Sequence, residues 1–209
     1  SGTDDDLSTL LTNEVTIQPP YSTDPRGRQF KEVTARLYKP RTWVLGPGGI
    51  DRVIDDANDG DIIVVPSGRH DAITTQSVYL DRGVTLTGPN PDDPDATART
   101  ILDDYVLYIT DSHVVVEGLT FTDQAKIYIT ACSPTIRNCR FIDCYKIGGN
   151  GSSPQQADGG NGGSVQGGAM EIQGDSMGLV ATKPKIQNCM FTNCYVQGGD
   201  GGDGDNGNQ

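Results

Sequence analysis

Positive charge is short in this chain: 16 Lys and Arg stand against 28 Asp and Glu, a net charge of -12. Phosphate binding wants a basic face, so nucleic acid is excluded as the main partner. The acidity favours solubility and attracts cations. No apolar run approaches the length of a membrane span, so no span is expected in this segment. There is no signal peptide and no initiator Met, and the opening SGTDDD reads as a processed end. Phe (4), Met (3) and Trp (1) are scarce, helix formers are thin, and the two histidines, His70 and His113, stand far apart. In their place are Gly, Asp and short runs of Val, Ile and Thr. That balance points to an all-β chain with many turns. Its 209 residues suit one domain of ordinary size, and its five Cys are an odd number.

The chain repeats itself. PTIRNCRFIDCYKIGG, from Pro134, returns fifty residues later as PKIQNCMFTNCYVQGG, from Pro184. At a spacing of twenty, Tyr108, Ile109 and Thr110 return as Tyr128, Ile129 and Thr130, Val116 as Ile136, Gly118 as Asn138, Leu119 as Cys139, Phe121 as Phe141, and Asp123 as Asp143. A third copy emerges once the Gly-rich insertion 148–168 is excised: Met170 and Ile172 fall on Ile127 and Ile129, and Ile186, Asn188, Cys189 and Phe191 on Ile136, Asn138, Cys139 and Phe141. Within each unit, apolar residues alternate with the period of a strand that buries one face, and Asn, Gly, Asp and Pro mark the corners. A unit this short cannot bury its own apolar face, but a stack of such units can, with strands about 4.8 Å apart. The pattern predicts a parallel β-coil with one repeat per turn. Upstream, Ile50, Val53, Ile54 and Ala57 predict an amphipathic helix of about three turns that plugs the first coil.

The stretches DRVIDDANDGDIIVVPSGRHD, GVTLTGPN and VVVEGLTFTD resemble the opening of right-handed parallel β-helix proteins of the pectin-lyase-like superfamily, over roughly residues 43–199. A narrower resemblance is to β-helical surface passengers such as polymorphic outer-membrane proteins, whose repeats carry GGA[I/L/V] and FxxN. Gly167, Gly168, Ala169 and Met170 match the first motif; Phe141 to Cys144 and Phe191 to Cys194 match the second, with Cys in place of Asn. The resemblance implies an all-β, right-handed parallel β-helix (solenoid) with a short N-terminal capping helix and long Gly-rich loop insertions. Residues 1–42 are expected to form an N-terminal arm or linker, locally basic through Arg26, Arg28, Lys31, Arg36, Lys39 and Arg41. The β-helix domain covers 43–199. Residues 200–209 form a Gly/Asp-rich tail that opens another insertion in a longer protein.

Candidate chemistry is sparse. Cys139 and Cys189 are expected inside the core, with Cys144 and Cys194 as a second stack and Cys132 without a partner. They offer a disulfide or metal reading, set against thiols packed as small hydrophobes. In-register Cβ atoms lie about a strand spacing apart, wider than the roughly 3.8 Å a disulfide wants. In the resembled fold stacked Asn residues form a hydrogen-bonded ladder inside a corner, and the resemblance implies that role, satisfying backbone groups, for Asn138 and Asn188. Asp123, Asp143 and Asn193 recur at one position; two near carboxylates would suit glycoside hydrolysis, and a turn role is the alternative. Trp43 at the coil entrance is expected to act as a core lid. Lyases of the resembled fold use Lys or Arg as a base, often with calcium. Arg137, Arg140 and Lys146 are close in sequence and predict an outward, solvated face. GGDGDN approaches a calcium-binding repeat, which makes Asp200, Asp203 and Asp205 candidate calcium ligands.

No catalytic residue is assigned. The sequence predicts a non-catalytic secreted or cell-surface module with a structural, adhesive or coat-forming role, whose partners are extracellular polysaccharide or neighbouring surface-protein subunits. The alternatives are an extracellular polysaccharide lyase or glycoside hydrolase on the same fold, or a carbohydrate-binding β-helix.

Overall fold

A computed structural model of the chain describes residues 14–17, 33–36, 39–46, 49–150, 161, 163–164, 166–175, 177–178 and 181–201. The chain divides into two compact units, Ser1–Arg41 and Thr42–Gln209. In the first, β1 (Glu14–Ile17) and β2 (Val33–Arg36) pair antiparallel.

The second unit is mostly β, with parallel sheets and, among the described residues, two short helices. In chain order it comprises β3 (Thr42–Val44), α1 (Ile50–Asp56), β4 (Ile62–Val64), β5 (Gly68–Leu80), β6 (Thr85–Thr87), α2 (Pro94–Ala98), β7 (Thr100–Ile109), β8 (Val115–Glu117), β9 (Thr120–Thr122) and β10 (Lys126–Thr130). There follow β11 (Thr135–Arg137), β12 (Arg140–Ile142), β13 (Tyr145–Ile147), β14 (Met170–Gln173), β15 (Lys185–Gln187), β16 (Met190–Thr192) and β17 (Tyr195–Gln197).

One sheet runs β15-β11-β8-β6-β4-β3, and every pairing in it is parallel. A second sheet bends within β7, at Asp104. Residues 101–103 pair with β9, which continues to β12 and β16; residues 106–109 pair with β10, which continues to β14. The registers match the repeat spacing residue for residue. Val116 pairs with Ile136 and Ile136 with Ile186; Phe121 pairs with Phe141 and Phe141 with Phe191; Ile127 pairs with Met170.

The pleat explains the core. Alternate residues of each strand point to one face, so Ile63, Leu86, Val116 and Ile136 form one fully buried column and Leu102, Phe121 and Phe141 another. The phenylalanine rings stack with centroids 4.9 and 4.7 Å apart along Phe121, Phe141 and Phe191. α1 packs against β5 and sends Ile50 and Ile54 into this core, as a plug would. It is shorter than the apolar spacing predicts. Ala57 is buried but extended, so α1 has 7 residues, about two turns rather than three. Trp43 packs on the core edge and donates from Nε1 to the buried Asp61 carboxylate at 2.9 Å.

Corners fall at left-handed residues. Asp104, Asp123, Asp143 and Asn193 have φ of 59, 59, 54 and 53°; Gly118, Asn138 and Asn188 have 63, 54 and 49°. Only Gly, and Asn or Asp through local hydrogen bonding, visit this region routinely. The recurring Asp/Asn position is therefore a turn requirement. Gly118 has a second reason: a Cβ there would lie 2.4 Å from the Pro91 Cα, because the excursion through residues 89–98 crosses this corner. The glycines after β13 and β17 also pack backbone on backbone, and a Cβ on Gly199 would sit 1.9 Å from the Gly149 carbonyl.

Each cysteine directly follows a left-handed residue: Ala131, Asn138, Asp143, Asn188 or Asn193. Each thiol lies against a carbonyl of the preceding rung, as in Cys132 to Ile109 at 3.3 Å, Cys144 to Phe121 at 3.3 Å and Cys194 to Phe141 at 3.4 Å. All five are free thiols. Among the described residues, no helix is long and apolar enough to cross a membrane.

Candidate functional site

Alternation that buries Ile127 and Ile129 turns Tyr128 outward, and the parallel register places Tyr79, Tyr108 and Tyr128 in one row. Their rings stack with centroids 5.0 and 4.9 Å apart. The next residue in the row is Glu171, on β14. Stacked rings cover each other's faces, so such a row offers the solvent its edges and phenolic hydroxyls.

Tyr108, Tyr128 and Glu171 of this row line a cleft of about 520 Å³, together with Thr130, Lys146, Ser164, Gln166 and Gln173, and Tyr79 extends the row beyond it. Two lysines frame Tyr128. Lys126 lies 4.2 Å above its ring, and its Nζ donates to the Gly167 carbonyl at 2.9 Å and the Gln166 carbonyl at 3.3 Å. Glu171 Oε2 is 3.8 Å from the same nitrogen. Lys146 Nζ donates to the Tyr128 hydroxyl at 3.0 Å. Burial pushes the Lys126 ammonium below the usual lysine range, while the bond to Tyr128 raises Lys146. Burial works against ionising Tyr128, but the hydrogen bonds and charges of the two lysines prevail and hold its phenol below the usual tyrosine range. A cleft that holds titratable groups with opposed shifts is a functional-site candidate on physical grounds.

Arg137, Arg140 and Lys146 do not share a face. Arg137 is exposed and ion-paired, with Nε 2.5 Å from Glu117 Oε2. Lys146 belongs to the tyrosine cleft. Arg140 corrects the expectation of a solvated side chain: it is half-buried and lines a second cleft, because the 89–98 excursion folds over its strand. That cleft, of about 450 Å³, is also lined by Pro91, Pro94, Asn138, Cys139 and Met190.

Asp123 meets Asp103 rather than its repeat equivalent Asp143. The two carboxyls are in hydrogen-bonding contact, and Arg69 bridges them from β5. The contact with Asp103, then burial, raises Asp123. Burial also opposes ionisation of Asp103, but Thr122, Asp123 and Arg69 hold it low. Glycosidase carboxyls stand about 5 Å or more apart; carboxyls that share a hydrogen bond lack that gap.

The asparagine ladder is present at the protein surface. Asn188 Nδ2 donates to Asn138 Oδ1 at 3.3 Å, and Asn138 Nδ2 to Asp92 Oδ1 at 2.9 Å. His113 is exposed and bonded to Asp111, while His70 contacts the Pro66 carbonyl. Of the candidate calcium ligands, Asp200 is exposed and its backbone N–H donates to Asn150 Oδ1 at 3.0 Å. Asp203 and Asp205 lie outside the described residues. Among the described residues, no group of three or more His, Cys, Asp or Glu is placed to hold a metal ion.

Sequence reasoning missed Lys126, Glu171 and the row of Tyr79, Tyr108 and Tyr128 as site residues, having read Tyr108 and Tyr128 only as repeat positions. A lone Lys before the Ile-Tyr-Ile strand, where Val106 stands one repeat earlier, was the available signal. Comparison with protein-family models, curated proteins and solved structures gives no match.

Proposed function

We propose that the unit Thr42–Gln209 is a right-handed parallel β-helix solenoid serving as a non-catalytic module of a secreted or cell-surface protein, and that it holds an extracellular polysaccharide along the tyrosine cleft. The handedness follows from the strong right-handed preference of parallel crossovers. The in-register parallel pairing at repeat spacing supports the solenoid. The observation that carries the binding role is the row Tyr79, Tyr108 and Tyr128. Phenol rings stacked with centroids 5.0 and 4.9 Å apart, beside ammonium, carboxylate and amide groups, form a hydrogen-bonding rail suited to a hydroxyl-rich polymer. The regularity of the rungs, which place like residues on like, favours a structural or adhesive role over a catalytic one.

A polysaccharide panel with a turnover readout tests this. Binding is expected without release of reducing ends or unsaturated uronate. Tyr128→Ala should weaken it about tenfold or more, the worth of one or two hydrogen bonds to a charged network. No binding across the panel, or binding untouched by Tyr128→Ala, would sink the reading. A second reading, a polysaccharide lyase, draws on one observation: the Tyr128 phenol, held low between two lysines, is a base in waiting. Product release that Tyr128→Phe abolishes would establish it instead.

A further inference from the structure

The second cleft forms where the 89–98 excursion stops short of covering the strands beneath it. The column Phe121, Phe141 and Phe191 points inward, so the residues before them, Thr120, Arg140 and Met190, form an in-register row on the outer face. The excursion covers the first of these: Thr120 is buried, and its hydroxyl donates to the Thr97 carbonyl at 2.8 Å. Met190, two rungs on, is 42% exposed. Arg140 stands at the boundary, half-buried, in a cleft of about 450 Å³ that it shares with Pro91, Asp92 and Pro94 of the excursion. That volume suits a small organic ligand.

Two charged groups of this cleft are incompletely used. Arg69, Arg82 and Arg137 have carboxylate partners, whereas Arg140 makes no ion pair among the described residues. Its Nε is, among those residues, the one buried side-chain nitrogen or oxygen without a hydrogen-bond partner. A guanidinium held against apolar groups without an acceptor is costly, and a ligand carboxylate that meets its fork of donors offsets that cost. Asp92 Oδ1 accepts from Asn138 Nδ2 at 2.9 Å, which leaves Oδ2 open to a cation. The cleft therefore holds a cation and an anion that do not satisfy each other. In the tyrosine cleft, by contrast, Lys126, Lys146, Tyr128 and Glu171 are engaged with one another or with backbone carbonyls. The remaining lining of the Arg140 cleft is largely apolar, through Pro91, Pro94 and Met190. Proline faces and a methionine thioether pack well on an aromatic ring.

We propose that the Arg140 cleft binds a free α-amino acid with an aromatic side chain, at a site separate from the polysaccharide cleft. The ligand carboxylate meets the Arg140 guanidinium, which turns Nε and one Nη toward it. The ligand ammonium meets Asp92 Oδ2, while Asn138 holds that carboxylate in place. The ring packs on Pro91, Pro94 and Met190. Both charges must sit on one molecule for full affinity, so an amine or an acid alone forfeits one contact.

An NMR titration of the isotope-labelled chain with L-phenylalanine tests this. A Kd of about 1 mM or tighter is expected, which a ligand of roughly a dozen non-hydrogen atoms can reach. Phenethylamine lacks the carboxylate and hydrocinnamate lacks the ammonium; each should bind about tenfold more weakly, the worth of one charge-assisted contact. L-Leucine should bind more weakly than L-phenylalanine as well. Arg140→Gln should weaken phenylalanine binding about tenfold and leave phenethylamine unchanged. Asp92→Asn should weaken phenylalanine to a similar extent and leave hydrocinnamate unchanged. The unchanged compound in each variant reports that the cleft is still folded. Tyr128→Ala should bind phenylalanine as the wild type does. No saturable shift with phenylalanine, or equal affinity for the three phenyl compounds, would overturn the proposal. So would loss of phenylalanine binding in Tyr128→Ala with none in Arg140→Gln, which would put the ligand in the tyrosine cleft. Leucine bound as tightly as phenylalanine would overturn the preference for a ring.

Discussion

Asn138 stands at a corner with φ 54°, its side chain tied to Asp92 on one side and Asn188 on the other. An alanine Cβ is strained in that region and brings no hydrogen bond, whereas glycine is at ease there. Asn138→Ala should therefore lower stability by about 1–2 kcal/mol and Asn138→Gly by distinctly less, read as urea midpoints of the two variants. Asp123 allows a pH experiment at the same scale. Its carboxyl is raised above the ordinary 3.8 by the hydrogen bond with Asp103. Between 3.8 and that raised value, the folded chain holds a proton the unfolded chain has lost, so stability falls as pH rises through the window. Above the window, two anionic carboxylates face each other. Asp123→Asn keeps a residue content with the left-handed corner, as Asn193 is at the matching repeat position. It should flatten the slope and gain up to about 0.5 kcal/mol at neutral pH, a modest figure because the side chain is half-exposed and screened. A variant that kept the wild-type slope would show that Asp123 does not carry the shared proton.

At the scale of strands, the phenylalanine column ranks its own members. Phe141 is fully buried between Phe121 and Phe191, whereas Phe191 is 48% exposed. Phe141→Ala should cost about 3–5 kcal/mol, and Phe191→Ala no more than about half of that, measured by chemical denaturation; equal costs would mean that the last rung is covered in solution. This column was legible in the sequence, because Phe121, Phe141 and Phe191 recur at spacings of twenty and fifty and a parallel register converts spacing into contact. The same holds for the isoleucines and the corner asparagines. What repetition does not encode was not legible. The 89–98 excursion and α2 occur once, and they give Gly118 its packing constraint and Arg140 its cleft. Lys126 becomes a buried partner of Tyr128 only because the chain returns after its insertion to lay Gln166 and Gly167 over it, a long-range contact that local pattern cannot signal. The cysteines were legible as core thiols. Their pairing with carbonyls of the preceding rung depends on left-handed corners, which residue type suggests only loosely.

For the unit Thr42–Gln209 taken whole, each strand is hydrogen-bonded to its counterparts in the neighbouring rungs, so stability should be graded along the stack rather than uniform. β8, β9, β11 and β12 are paired on both sides, and Val116, Phe121, Ile136 and Phe141 are fully buried. β15, β16 and β17 are paired on one side among the described strands. There Ile186, Phe191 and Val196, which stand in register with Ile136, Phe141 and Lys146, are 41, 48 and 47% exposed. At the other end, α1 shields the first rungs with Ile50 and Ile54. Amide hydrogen exchange should therefore show the strongest protection in β7 to β12 and a decline through β15 to β17, with β4 and β6 kept well protected by the helix. Phe141→Ala then becomes a test of how far a lost contact spreads. If neighbouring rungs carry the coupling, the variant should loosen β16 and β9 and leave β4 and β6 near their wild-type protection. A loss of protection spread evenly from β4 to β16 would mean that the unit opens all at once, and that its repeats are a feature of its sequence more than of its energetics.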